Sequence, residues 1–314
     1  MIGYLIRRLL YAVPILVGVC FLTFVLFYMT ASPADIARRN LSAKNPTAQQ
    51  IKDWEQQHGY DKPKWKQFLD TTEGLFLLRL GRSDSVKGER VITRIKESWF
   101  PSFEIALLSF GAAITINLSL ALVVAYFRGT YLDIYGTTLC VFMMSVTYLV
   151  YIIGGQFVFG RLLKLNPVAG FLPGWESLRF AFLPVVVAVV SGMGASVRQF
   201  RTFMLDEMNQ DYVRTARAKG VSESQVLFKH VLKNAAIPVL TTSVQAIPGL
   251  FLGSILLESF FNIPGLGNYL VDAINSQDFA VVRAMVFIGA LVTIVGYILT
   301  DISYALVDKR VRLE

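Results

Sequence analysis

The chain has 314 residues, of which 54% are hydrophobic and 17% charged, with a formal net charge of +8. That balance excludes an ordinary soluble domain and matches a membrane protein. Positive-inside sorting accounts for the surplus of Lys and Arg, and with no basic run interleaved with aromatics a nucleic-acid partner is excluded.

The first apolar run covers residues 9–29. It exceeds the length of a signal-peptide core and no small-residue cleavage site follows, so it reads as an uncleaved anchor. Pro14 interrupts it. Further runs long enough to span a bilayer lie at 102–126, 133–160, 180–200, 238–259 and 282–307. The predicted fold is therefore an all-α integral membrane protein of six transmembrane helices, with both termini on one side. Cys20 and Cys140 fall inside these runs and read as small buried hydrophobes, with no disulfide or metal role.

Basic residues in the short loops set the orientation. One side holds Arg7, Arg8, Arg128, the seven basic residues from Arg198 to Lys233, and Lys309, Arg310 and Arg312; the other holds Arg161, Lys164, Arg179 and Arg283. The first side is predicted to be cytoplasmic. Domains follow as residues 1–29, an N-terminal transmembrane helix; 30–101, an external subdomain; and 102–314, a core of five transmembrane helices carrying a cytoplasmic loop at 198–237.

Within the external segment, Asn45-Pro46 and Gly59 read as the cap, first turn and stop of one helix, with Ile51, Trp54 and His58 on a shared face. A second helix is predicted from Pro63, carrying Trp65, Phe68 and Leu69. Caps and buried aromatics make this a folded unit. In the fourth transmembrane segment, Pro184 marks a kink, and Ser191, Gly192, Gly194, Ala195 and Ser196 favour close helix–helix contact.

The loop at Asp211–Leu240 is the most informative stretch. A short helix over roughly Tyr212–Lys219 stops at Gly220, the residue type that accepts the left-handed turn past a helix end. A second helix has a capping box in Ser222 and Gln225, with Val221 and Val226 placed as a hydrophobic staple. Ala216 and Gly220 are expected to leave a shallow face rimmed by Arg214, Arg217 and Lys219. That suits docking into a groove on another protein.

Chemistry of other kinds is absent. The sequence holds no G-x-x-x-x-G-K-[ST], H-E-x-x-H, C-x-x-C or G-x-S-x-G motif, and His58 and His230 have no Cys or Ser partner at matching depth. A membrane-embedded hydrolase lacks a nucleophile–base pair. Of the ionisable groups near the membrane, Glu104, Asp133 and Asp272 lie near predicted helix ends, leaving Glu258 and Asp301 as functional candidates. Glu258 follows a segment kinked by Pro248-Gly249 and precedes Asn262-Ile263-Pro264-Gly265-Leu266-Gly267, a composition for a tight re-entrant turn. Its carboxylate either faces a partner or solute path, or caps backbone amides and holds the turn together.

The chain resembles, over essentially its whole length, the inner-membrane permease subunits of binding-protein-dependent ABC importers of the dipeptide/oligopeptide/nickel group. YLIRRLLYAVPIL at Tyr4–Leu16, TARAKG followed by KHVLKNAAIPVL, GSILLESFFNIPGLGNYLVDAINSQDFAVV at Gly253–Val282 and DISYALVDKRVR near the end carry the resemblance. Departures are SPADIA in place of a Pro-Gly-Asp-Pro pattern, Arg79 where an acidic residue is common, and Lys309 where the family usually has proline.

The resemblance implies the type I importer permease fold and a pair of homologous permeases enclosing a path. It implies two ATPase subunits docked on Tyr212, Arg214, Thr215, Ala216, Arg217, Ala218, Lys219 and Gly220, and an external solute-binding protein. Around the external gate it points to Glu258, Pro264, Gly265 and Gly267. This chain would bind no cofactor, ATP-Mg being used by the ATPase subunits, and would lie in the bacterial inner membrane among lipid. Short peptides are the implied solute; nickel, sugars and opine-like solutes are alternatives, because selectivity in the family rests largely on the binding protein. A stand-alone secondary transporter or channel is the competing reading and would need midplane carboxylates or an inverted repeat.

Overall fold

The computed structural model describes residues 2–30, 32–41, 46–85, 89–164, 167, 169–172 and 174–307. Asn45, Lys309, Arg310 and Arg312 lie outside them. The first helix, α1 (Ile2–Thr30), is followed outside the membrane by α2 (Pro33–Asn40), α3 (Ala48–Gln57) and α4 (Lys64–Phe76). Then come α5 (Val91–Tyr126), α6 (Tyr131–Ser145), α7 (Tyr148–Gly155), which runs on as a π-helical turn to Leu162, and α8 (Ser177–Met208). The loop region holds α9 (Asp211–Ala218) and α10 (Glu223–Gln225), the latter continuing through a π-helical turn into α11 (Leu232–Val244). The chain closes with α12 (Ile247–Leu252), α13 (Ile255–Phe261), α14 (Leu266–Asn275) and α15 (Phe279–Val307).

Among the described residues, five helical stretches are long and apolar enough to cross a membrane: Ile6–Thr30, Val91–Tyr126, Gly174–Met208, Glu223–Leu252 and Phe279–Ile302. The expected single span over 133–160 is instead broken, with Tyr131–Ser145 and Tyr148–Leu162 meeting at 95°. Val146 and Thr147 are both extended, at ψ 129 and ψ 150. The Tyr151 hydroxyl donates to the Met143 carbonyl at 2.7 Å, taking up a backbone acceptor next to the break.

A second correction concerns the boundary at residue 101. α5 is one helix of 36 residues with Pro101 inside it, so the segment before residue 101 and the core share a continuous rod. A third concerns the fifth predicted span. It ends at Leu252; Gly253 has φ +72, and Glu258 belongs to the separate short helix α13.

The segment between α1 and α5 folds on the end of α1. Phe27, Ile36, Ala37 and Trp54 are buried together, and Tyr60 stacks on both Trp54 and Phe27, at 5.6 and 5.7 Å between ring centroids. Ile51 joins this cluster and His58 stacks on Trp54 at 4.0 Å, as the shared face predicts. The cap of α3 is Thr47, not Asn45: Thr47 accepts from the Gln50 amide and Gln50 closes the capping box. Gly59, at φ +72, ends the helix region.

On α4, Phe68 packs edge-on against Phe21 and Phe24 of α1, but Trp65 and Leu69 are exposed, and Gln67 and Leu75 take the buried positions. α2 was not anticipated. Its signal is local: Ser32 caps it, Pro33 opens it and Asp35 follows three residues after the cap.

Small residues set the membrane packing. A Cβ on Gly194 would lie 2.5 Å from the Cys140 carbonyl of α6, and one on Gly155 would lie 2.6 Å from Val187 of α8. Gly296 of α15 lies so close to Pro248 of α12 that a Cβ would overlap the proline ring. Cys20 and Cys140 are free and buried. Asp301 of α15 pairs with Arg8 of α1, and Asp133 of α6 receives two bonds from Arg201 of α8, each 2.8 Å. These ion pairs tie helices at the same end as the 198–237 loop.

Candidate functional site

The loop site is built from the inside outward. Val213 and Ala216 of α9 are buried with Val226, Leu227 and Val231, against Met204 of α8 and Leu122 and Ala125 of α5. Val213 and Ala216, three residues apart, lie on one face of α9, turned toward the π-helical turn that follows α10. Ala216 is 7% exposed. It therefore anchors the loop and does not contribute to an open shallow face, contrary to the expectation.

Gly220 has φ +79 and open space around it, so its backbone conformation, and not crowding, selects glycine. Tyr212, Arg214, Thr215, Arg217, Ala218, Lys219 and Gly220 are all exposed. Arg217 is tied down within the loop: its Nε and Nη2 donate to the Glu223 carboxylate at 2.7 and 3.2 Å. The ion pair bridges α9 to α10 across the Gly220 turn. The Ser222 side chain makes no cap bond, so the predicted capping box does not form; Val221 and Val226 do share the loop's core. Tyr212 donates from its hydroxyl to Glu207 at the end of α8.

The second site centres on Glu258, which is 2% exposed. Oε1 accepts from the Ser254 amide at 3.0 Å. Oε2 accepts from the amides of Gly267 at 2.7 Å and Asn268 at 3.3 Å. These are the amide of the α13 cap residue and two first-turn amides of α14, where unpaired N–H groups and the helix dipole favour a carboxylate. Ser102 of α5 completes the arrangement by accepting from the Leu266 amide at 2.7 Å. Three chain segments meet on two side chains.

The glycines around Glu258 follow from this crowding. A Cβ on Gly253 or Gly265 would overlap a Glu258 carboxylate oxygen, and one on Gly267 would lie 2.8 Å from Ile255. Asn262 adopts the left-handed conformation that ends α13, and Pro264 follows two residues later. Glu258, Gly265 and Gly267 thus come together as the motif predicts, and the geometry is that of amide capping. Sequence reasoning missed Ser102. Its only signal is a hydroxyl directly after Pro101 in an apolar run.

These elements make an all-helical, multi-pass membrane protein with one internally packed basic loop and one tightly hydrogen-bonded turn around Glu258. Residues 117–313 match the family described as the binding-protein-dependent transport system inner membrane component, and residues 1–89 match the N-terminal membrane component of such systems. The chain belongs to this family of inner-membrane transport permeases. It is 33% identical to the oligopeptide transport system permease protein AppB of Bacillus subtilis (strain 168), over 99% of each chain. It is 33% identical to a putative peptide transport system permease protein of Brucella abortus (strain 2308) over the full length of both. The dipeptide transport system permease protein DppB of Alkalihalophilus pseudofirmus is 27% identical, over 99% of this chain. The fold is the type I importer permease, and the chain works with a solute-binding protein and ATPase partners.

Proposed function

We propose that this chain is one of two homologous permease subunits that enclose a path for short peptides, with two separate ATPase subunits docked on the 198–237 loop. The names of its relatives support the peptide; the pre-built loop supports the docking. The observation that carries the reading is the anchoring of α9 through Val213 and Ala216, which holds Tyr212, Arg214, Thr215, Ala218, Lys219 and Gly220 outward on a fixed frame. A chain with no nucleotide-binding motif needs its energy from outside, and ATP-Mg is used by the partners, not here. The competing secondary-transporter reading needs free carboxylates in the membrane. Asp133 and Asp301 each face an arginine, which weighs against it.

The loop and both termini are assigned to the cytoplasm and residues 30–101 to the outside, on the distribution of Lys and Arg. An impermeant maleimide should label Lys66→Cys but not Ser222→Cys from outside, in a background lacking Cys20 and Cys140. Both positions are exposed, whereas Ser85 is half-buried and bonded to Asp278.

Purification of the intact complex from native membranes tests the main reading. ATPase subunits, a second permease and a peptide-binding protein should copurify. Recovery of the chain alone in a transport-competent state would overturn it.

A further inference from the structure

Between α5, α8 and α11 lies a cavity of about 190 Å³, lined in part by Asn117, Ser196, Gln199, Thr242 and Ser243, with no charged side chain in its wall. Asn117 sits nine residues from the end of α5, well inside an apolar span, and is 2% exposed. Its Oδ1 has no hydrogen-bond partner among the described residues. A buried carbonyl oxygen left unpaired is costly, and a polar side chain inside a membrane span marks a functional position by default. The nearby hydroxyls do not relieve it: Ser243 and Thr242 donate to carbonyls of their own helix, at 2.7 and 3.1 Å.

We infer that Asn117 is a solute-contacting station of the permease, whose carboxamide oxygen accepts a main-chain N–H of the transported peptide. This rests on the peptide-importer reading and deepens it. An uncharged cavity with an open acceptor selects a neutral donor. A metal cation would enter it without a counter-charge, at a high desolvation cost. A contact to the main chain also leaves peptide side chains unread at this point, so the station discriminates peptide from non-peptide and not one peptide from another. Oδ1 is shielded here, so the contact forms when the walls of the cavity part during the transport cycle.

The test uses the complete transporter with its binding protein in proteoliposomes. Initial uptake of radiolabelled alanyl-alanine is compared with that of alanyl-N-methylalanine, which lacks the peptide N–H. The binding protein's own preference is common to wild type and variant and cancels when their uptake ratios are compared. The wild-type preference for the unmethylated peptide should fall by about 3- to 10-fold in Asn117→Leu, the value of one net hydrogen bond. An unchanged preference in an assembled Asn117→Leu transporter overturns the station and leaves the peptide reading intact. If the leucine variant does not copurify with its partners, Asn117→Ala carries the same comparison without added bulk. Uptake of neither peptide by wild type overturns the peptide reading, and the station with it.

Discussion

The Asp278 carboxylate accepts the main-chain N–H of Asp84 at 3.1 Å, and the Asp84 carboxylate accepts the main-chain N–H of Ala280 at 3.1 Å. Each residue thus binds the backbone of the other's segment. Asp278 also accepts from the Val281 amide at 3.1 Å, which caps α15, and from the Ser83 and Ser85 hydroxyls and the Ser85 amide. The two carboxylates pin the strand of chain before α5 to the first turn of α15, where the helix dipole favours negative charge. Arg283, one turn on, lies over the Phe27 ring at 5.5 Å and links this clamp to the external core.

Asp278→Ala removes the cap of α15 and the tether of residues 83–85 together. Loss of a cap costs about 1 kcal/mol and each buried donor left unpaired about 1–3 kcal/mol. Hydrogen exchange of the amides at 84, 85 and 281 should speed up in the assembled complex, with α3 protection unchanged. Unaltered exchange there would mean that other contacts hold the segment.

Burial pushes the Asp84 carboxyl up from its ordinary value, and Asp278 adds to the rise; Arg283, the Ala280 amide and His58 oppose it. A carboxyl raised in the folded state binds its proton more tightly there than in the unclamped state. Its contribution is therefore complete at low pH and is lost as pH rises through the raised value. Protection factors for residues 83–85, corrected for intrinsic exchange, should decline as pH rises above the unperturbed carboxylate value. Asp84→Asn should flatten that decline, and an equal slope in the variant would remove Asp84 as its source.

Glu258→Gln keeps one acceptor oxygen where three amides now share two. A donor NH₂ would face the Ser254 amide or the Gly267–Asn268 pair, at a cost of about 1–3 kcal/mol. The expected outcome is a lower yield of assembled complex and a lower thermal midpoint. Normal assembly with raised uncoupled ATP hydrolysis would instead assign the charge to gating, and wild-type behaviour in both would dismiss a required charge.

The surrounding glycines should separate by position. Gly265→Ala and Gly253→Ala place a Cβ on the Glu258 carboxylate, Gly253 also at φ +72, and both should impair assembly. Gly249→Ala meets nothing within 4 Å inside α12 and should be neutral or stabilising by about 0.5–1 kcal/mol. Comparable loss at position 249 would show general intolerance of the region.

In the loop, Ala216→Leu overfills the packed contact of α9 with the π-helical turn, at about 1–3 kcal/mol. ATPase copurification should fall with it. Ala218→Leu, on the exposed side, should leave the loop folded, so any loss of ATPase binding there reports the contact surface itself. The Arg217–Glu223 pair is exposed and worth only about 0.2–1 kcal/mol, so Glu223→Ala should weaken docking mildly. Equal effects of Ala216→Leu and Ala218→Leu would contradict the inward placement of Ala216.

Much of the fold was legible in the sequence because its signals are local. Apolar runs of about 20 residues mark spans wherever they occur. Gly59 and Gly220 stop helices because the left-handed turn is a property of one residue, and both sit at positive φ. The break after Ser145 was not legible, because Val146 and Thr147 continue the apolar run without a proline or glycine. The continuity of α5 through Pro101 was hidden for the opposite reason, since proline marks a boundary by rule and is tolerated here inside a helix.

Side-chain roles divide in the same way. The sequence alone determined that this is a helical membrane permease, where its basic loop lies, and that Glu258 precedes a turn of Pro and Gly. Only the tertiary structure decided that Ala216 faces inward, that Arg217 is spent on Glu223, that Ser102 joins Glu258, and that Asp84 and Asp278 clamp each other's backbone. Composition and periodicity act along the chain, whereas a hydrogen bond between residues 84 and 278 depends on how α4, α5 and α15 pack, which no local pattern encodes.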